Sequence, residues 1–384
     1  MGVPTPSPST RPAPPSAGTL VDLEDVRADV DASVESRVRR LADELAHVGD
    51  ATGPLLEEAG HLLRGGKRLR AAFCYWSWRA HAGDPADRPA VIGASAALEL
   101  FQAAALVHDD VMDRSDTRRG RPSAHRAFAA AHRAEGWLGD ADDFGTSAAI
   151  LLGDVLLIAC NSQFADVARD VDPASGLRAR ELFDHMQTEV TVGQFLDVRA
   201  QSVPWGEDPA AAEQRARAVI RAKSARYSVE HPTTIGAALA GAAPDAIARA
   251  AAFGLPVGEA FQLRDDLLGV FGDPAVTGKP AGDDLREGKR TVLLCRALQH
   301  ADRAGRALIL GRVGDPDLTQ ADVDDLRTVV DATGATAAVE GLIDELTATG
   351  LAALEEAGLG VTGLDATAAR TLHDLAVAAT RRTA

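Results

Sequence analysis

Apolar side chains recur every three or four residues near the start of the chain. Val26, Val30, Val34, Val38 and Leu41 form one stripe, and Leu45 and Val48 extend it. That spacing returns a side chain to the same face of an α-helix. The same period predicts helices over residues 90–114, 148–167, 174–200, 210–227, 244–270, 289–310 and 335–357. A last helix follows Asp365, placed as an N-cap, with Leu372, Leu375 and Ala379 on one stripe. Alternating Val/Thr/Tyr runs between turn residues do not occur, and no solenoid-length repeat is visible. The pattern predicts an all-α protein, one large helical bundle over residues 19–384, with loops near 136–143, 202–209 and 272–284. Residues 1–18 are rich in Pro, Ser and Thr and are expected to form a disordered tail.

Composition narrows the possibilities. Hydrophobic residues make up 46% of the 384, enough to bury a large core, and the formal net charge is −16. An acidic body argues against nucleic acid as a partner, so any phosphate chemistry needs a local basic pocket. Cys74, Cys160 and Cys295 lie far apart in apolar stretches, which reads as buried free thiols in a reducing cytoplasm. No apolar run is expected to reach membrane-span length, because the best one, residues 91–107, is interrupted by Glu99 and Gln102.

Two acidic segments carry the chemistry. Asp109 and Asp113 are four residues apart on a helix, so they share a face, with Asp110 beside them. Carboxylates this close repel unless a cation lies between them. Hard oxygen ligands suit Mg²⁺, which completes its shell with water and phosphate. Arg118 and Arg119 follow, and guanidinium groups beside such a cluster make a diphosphate site. Far along the chain, Asp265 and Asp266 follow Phe261 and Gln262 on another helix ended by Gly272 and Pro274. Lys279 and Lys289 flank a Gly-rich loop holding Asp283 and Asp284. Two more basic spots are GGKRLR at residues 65–70, whose paired glycines let backbone N–H groups approach an anion, and Lys223 in AKSARYS. Each segment alone also fits a blander reading: a solvated acidic helix end, a charged turn, a solvated helix face. Glu189, Gln194 and Asp197 read equally well as a buried hydrogen-bonded trio.

Taken in order, GGKRLR, FQ…LVHDDVMD…RRG, GQFLD, AKSA, FQLRDDLLGVFGD and GKPAGDDLREGKRT resemble the trans-isoprenyl diphosphate synthases, the polyprenyl synthetase family, and bacterial geranylgeranyl diphosphate synthases most. The resemblance implies an orthogonal helical bundle around a deep central cavity, a homodimer, and about two or three Mg²⁺ ions. It implies that Asp109, Asp110 and Asp113 hold Mg²⁺ against an allylic diphosphate, with Arg118 beside them. Gly66, Lys67, Arg70, Gln102 and Arg119 match the isopentenyl diphosphate pocket. Lys223, Lys279 and Lys289 match lysines that grip the leaving group, and Gln262 with Asp265 and Asp266 matches the second metal motif. The catalytic set is then Lys223, Gln262 and Lys279. Ionisation, condensation and elimination follow, with no side-chain base assigned. The competing readings are a class I terpene cyclase, which has no need of GGKRLR or paired arginines, and a non-catalytic subunit that modifies product length.

Three positions depart from the family pattern: Ala71, Ser224 and Gly269, the last standing where a third aspartate is usual. The expectation is that Mg²⁺ tolerates this loss and that Gly269→Asp changes activity only modestly. Product length is read from helix geometry. Ala105 lies about 6 Å and Phe101 about 12 Å below Asp109 along the helix. Ala104 borders the first level. Small residues there with an aromatic floor at Phe101 suggest a twenty-carbon product, geranylgeranyl diphosphate.

Overall fold

The computed structural model describes residues 17–206, 208–272, 282–357 and 365–381. The described residues are helical almost throughout. The first helices are α1 (Ala17–Val21), α2 (Val26–Leu45), α3 (Gly53–Leu63), α4 (Leu69–Ala80) and α5 (Arg88–Met112). A two-residue strand pair follows, β1 (Thr117–Arg118) and β2 (Arg121–Pro122), and then α6 (Ala124–Ala134), α7 (Ala141–Asp170) and α8 (Pro173–Ser202). After α9 (Pro209–Ile220) a π-helical segment, Arg221–Glu230, leads straight into α10 (His231–Leu239). The remainder are α11 (Pro244–Phe271), α12 (Asp283–Arg286), α13 (Val292–His300), α14 (Arg303–Arg312), α15 (Gln320–Ala332), α16 (Ala335–Glu356) and α17 (Ala366–Thr380).

Short polar caps set many of these starts. Asp140, Asp172, Asp208, Thr291, Asp302 and Asp365 each accept a backbone N–H from the first turn of the helix they precede. Such a cap stabilises a helix by about 1 kcal/mol. Asp302 also corrects one expectation. The helix predicted over 289–310 is two helices, because Ala301 is extended and Asp302 caps α14. Conversely, the helix predicted to stop at 227 runs on through the π segment, since Ile220 and His231 both keep helical backbone. The C-terminal boundary of α11 falls at Gly272 as expected, with extended rather than left-handed backbone (φ −67°), while Pro274 lies outside the described residues.

Two apolar clusters hold the bundle. One joins α2, α4, α5, α7, α8, α10 and α17 around Phe73, Trp76, Trp78, Phe164 and Phe183, and the other joins α11, α13, α15 and α16. Phe164 and Phe183 stack at 4.1 Å and 9°. Burying each such ring contributes about 1.5–3 kcal/mol. The early stripe is buried at Val26, Val30 and Val34 but fades by Leu45, and Val48 is exposed. The expected tail begins outside the described residues, yet Ala17 and Gly18 already belong to α1, whose Leu20 and Val21 are in the core.

Two helical stretches are, contrary to expectation, long and apolar enough to cross a membrane: Pro85–Met112 and Ala141–Asp170, whose most apolar parts are 78% and 39% buried. Glu99 lies within the first, buried and paired with Arg68 at 3.0 Å. All three cysteines are free and buried, and burial pushes each thiol up to about 12.

Candidate active site

The C-terminal end of α5 delivers the first acidic cluster, and its neighbours divide in direction. Asp110 is buried and turns to Arg118, whose Nε donates to both its oxygens at 3.0 and 3.1 Å. Asp109 faces the other way. Lys223 Nζ donates to it at 2.9 Å and to Asp197 at 2.6 Å, and Arg118 Nη2 lies 3.7 Å from its far oxygen. Asp113 ends the helix one turn on, four residues from Asp109, with its side chain 1% exposed. Adjacent helical residues point about 100° apart, so three aspartates cannot share one face. Asp110 accepts from Arg118, and Asp109 and Asp113 share the neighbouring face.

The second cluster comes from α11. Asp265 and Asp266 lie near its C-terminal end, and Gln262 Nε2 donates to Asp266 at 2.8 Å. Lys289 lies between the two clusters, 3.4 Å from Asp113, 3.4 Å from Asp284 and 2.5 Å from Glu287. Lys279 lies outside the described residues.

The paired arginines are separated by backbone geometry. Arg118 pairs with Arg121 across the two strands, leaving Arg119 (φ 53°) and Gly120 (φ 73°) as the turn. Positive φ at both central residues is the hairpin turn that matches strand twist. Arg118 then reaches the acidic cluster. Arg119 reaches the loop before α4 instead, donating to the carbonyls of Leu62 and Arg64 at 3.4 Å each. Gly66 takes left-handed backbone (φ 93°) that strains any side chain, and a Cβ there would also crowd the Arg119 guanidinium at 3.2 Å. Arg70 and Gln102 meet at Tyr227: the Arg70 guanidinium lies 4.0 Å over its ring, and the Tyr227 hydroxyl donates to Gln102 Oε1 at 2.5 Å. That leaves the Gln102 amide N–H groups as the donors. Arg70 Nε is buried without a hydrogen-bond partner.

Charge is unevenly compensated. Burial opposes ionisation of Asp109, but Lys223, Lys289 and Arg118 hold it well below the usual carboxylate range. Asp113 is pushed up to about 7 by burial and by the charges of Asp109 and Glu287. Asp266 is pushed up to about 8 by burial and by Asp284 and Asp265. Lys223 and Lys289 are raised despite burial by the carboxylates around them, so both stay cationic. In the arginine corner the balance is opposite. Arg119 is lowered by burial and by Arg68, Arg118 and Arg70, which marks a place for an anion.

Several functional neighbours carry no local sequence signal. The hydrogen-bonded trio that Glu189, Gln194 and Asp197 could form is not made: Asp197 pairs with Lys223, Glu189 with His231 at 2.9 Å, and Gln194 contacts Met112 sulfur at 3.8 Å. Tyr227, one helical turn after Lys223, carried no sequence signal beyond that spacing. Phe101 is buried edge-on against Tyr227, with ring centroids 5.4 Å apart. Ala105 is half-buried on the Asp109 side, and Ala104 is fully buried.

The donor set fits a hard divalent cation. Both Asp113 oxygens are buried and accept no hydrogen bond, Lys289 Nζ lies 3.4 Å away, and the carboxylates of Asp109 and Glu287 act on the same group. Among the described residues no three acidic, His or Cys side chains form a ready-made cage, so a cation there would share its shell with water and diphosphate.

Two acidic helix ends bridged by a lysine, beside an unneutralised arginine corner in an all-helical bundle, define an enzyme that handles diphosphates. The polyprenyl synthetase family model matches residues 54–330. A geranylgeranyl pyrophosphate synthase from Corynebacterium glutamicum, solved with isoprenyl diphosphate and magnesium, is 37% identical with a TM-score of 0.87, over 94% of this chain and 100% of that one. A geranylgeranyl diphosphate synthase of Mycobacterium tuberculosis is 30% identical over 342 residues, 87% of this chain and 88% of that protein. A geranylfarnesyl diphosphate synthase of Aeropyrum pernix is 33% identical over 277 residues, 72% of this chain and 79% of that protein. The chain belongs to the polyprenyl synthetase family. It is a chain-elongating trans-prenyltransferase.

Proposed function

We propose that this enzyme condenses isopentenyl diphosphate with allylic diphosphates, using about two or three Mg²⁺ ions, and releases geranylgeranyl diphosphate. It does so as a homodimer in the cytoplasm, within one helical domain that follows an N-terminal tail. The observation that carries the reading is the pairing of sites. Lys223 and Arg118 converge on Asp109, while Arg119, Arg70 and Gln102 gather on the other side of the hairpin turn. One site suits the ionising diphosphate, the other the nucleophile.

Asp109, Asp113, Asp265 and Asp266 would hold magnesium, with Asp110 fixing Arg118. Bound there, magnesium offsets charge building on the departing diphosphate. Lys223 and Lys289 stay protonated and add fixed positive charge to the same group. Gln262 orients Asp266 through its amide. We assign Lys279 to the leaving group from its motif alone. The allylic C–O bond breaks and its electrons leave with diphosphate. The isopentenyl double bond then forms the new C–C bond, and the proton lost from the adjacent carbon goes to the released diphosphate. Arg70, Arg119, Gln102 and the loop of Gly66 and Lys67 would position isopentenyl diphosphate for that attack.

The chain grows past Ala105 toward Phe101 and Tyr227, a depth that favours twenty carbons. The names of the Corynebacterium and Mycobacterium relatives support that length, the magnesium in the former supports the metal, and three buried free thiols are consistent with a reducing compartment. Mass analysis of products from labelled isopentenyl diphosphate with each short primer tests the reading. A twenty-carbon maximum is expected. A maximum at fifteen carbons, or one beyond twenty, would refute the length, and absence of elongation would refute the reaction.

A further inference from the structure

Gly269 lies four residues after Asp265 on α11, hence on the same face, where a third carboxylate would complete the second cluster. The position is already taken. A Cβ placed at Gly269 would lie 1.9 Å from Asp284 Oδ2 and 2.5 Å from Asp284 Cγ, far inside any contact distance. The carboxylate of Asp284 therefore fills the volume that a side chain at 269 would claim, and it arrives from α12 rather than α11. The short helix is pinned for this. Gly282 takes left-handed backbone (φ 74°) just before it, and Leu285 is fully buried. Lys289 holds Asp284 at 3.4 Å.

A second observation points to a ligand here. Across the same lysine stands Asp113, 1% exposed, neither oxygen accepting a hydrogen bond. Lys289 Nζ lies between Asp113 and Asp284, 3.4 Å from each. The Asp113 carboxylate, buried without a hydrogen bond, and Asp284 thus flank a place for a divalent cation that also binds diphosphate.

We propose that Asp284 supplies the third carboxylate of the second metal-binding face from outside its helix, and that Gly269 is the notch that admits it. The inference rests on the reading of Asp265 and Asp266 as metal-holding residues. It predicts a severe effect for Gly269→Asp, against the modest one expected from the sequence. An aspartate there would expel Asp284 and displace its lysine rather than restore a missing ligand.

The test reads metal binding without turnover. Mn²⁺ is titrated into the full-length protein with inorganic diphosphate and followed by electron paramagnetic resonance. Asp284→Asn and Gly269→Ala are each expected to weaken Mn²⁺ binding by about tenfold. The exchange variant Gly269→Asp/Asp284→Ala returns a carboxylate to the face and is expected to recover binding to within about threefold of wild type. Wild-type affinity in Asp284→Asn, with loss in Asp265→Asn, would overturn the role of Asp284 alone. Wild-type affinity in Asp265→Asn would instead refute the second metal site itself. If circular dichroism shows Asp284→Asn unfolded, the exchange variant decides: recovery supports the proposal, and no recovery overturns it.

Discussion

Single ionisable groups in this site are poised rather than neutralised. Asp113 and Asp266 titrate near 7 and 8 in the folded, metal-free protein, pushed up first by burial and then by carboxylate neighbours. In the unfolded chain both ionise near the ordinary value. Across the interval the folded state binds more protons, so its stability falls as pH rises, and the fall ends once both groups are ionised. The melting temperature of the metal-free protein is therefore expected to drop between about pH 5 and pH 8 and to level off above that. Magnesium with inorganic diphosphate should abolish the drop, and Asp266→Asn should flatten it. A melting temperature that is constant or rises over that range would contradict the charge balance described here. At this scale the sequence revealed residue types better than directions. The pairing of Asp109 with Asp113 followed from helix period, but Asp110 had to turn toward Arg118. No local pattern could report that Asp284 reaches Gly269 from another element, because that contact is made by folding rather than by spacing.

Elements position these groups through a few departures from regularity. Lys223 sits in the π segment, which meets α8 at Gly193, where a Cβ would come within 2.4 Å of the Lys223 backbone nitrogen. Such segments recur at functional sites because the extra residue per turn redirects a side chain without ending the helix. Periodicity read this stretch as an ordinary helix stopping at 227, since a π turn blurs the 3.6-residue repeat. In α5, by contrast, regularity is the device. Ala105 and Phe101 follow Asp109 down one face, and Tyr227 closes against Phe101. Ala105→Phe is expected to shorten the product to fifteen carbons, and Phe101→Ala to lengthen it, read by chromatography of dephosphorylated products. Ala104→Phe should behave differently, because Ala104 is fully buried. Overpacking there is expected to destabilise the protein by about 1–3 kcal/mol. An unchanged product distribution in Phe101→Ala would show that the limit lies elsewhere.

The whole molecule leaves one face unfinished. Phe144, Leu151 and Ile158 repeat every seven residues along α7, and Val192, Phe195 and Val198 line neighbouring α8. Ile158 and Phe195 are 67% and 64% exposed. Exposed apolar side chains along two neighbouring long helices are what a second copy would cover. Light scattering is expected to give twice the 40.1 kDa chain mass, and Leu151→Glu or Phe195→Glu to give the single mass. A monomeric wild type would remove the dimer from the proposal. The all-helical class was plain from the early valine stripe and the scarcity of strand signals. The breaks at Ala301 and within the π segment were not, since caps and π turns act over only a few residues.

The three buried thiols carry a practical consequence. With each pushed up to about 12 by burial, the reactive thiolate is about a hundred-thousandth of the total at neutral pH. To a maleimide the native protein is close to blank. A single cysteine introduced on the exposed face of α6 or α15 would take a fluorophore alone, with all three native cysteines left in place. A pair of such dyes, one on each helix, could then report movement between α6 and α15 as substrates arrive.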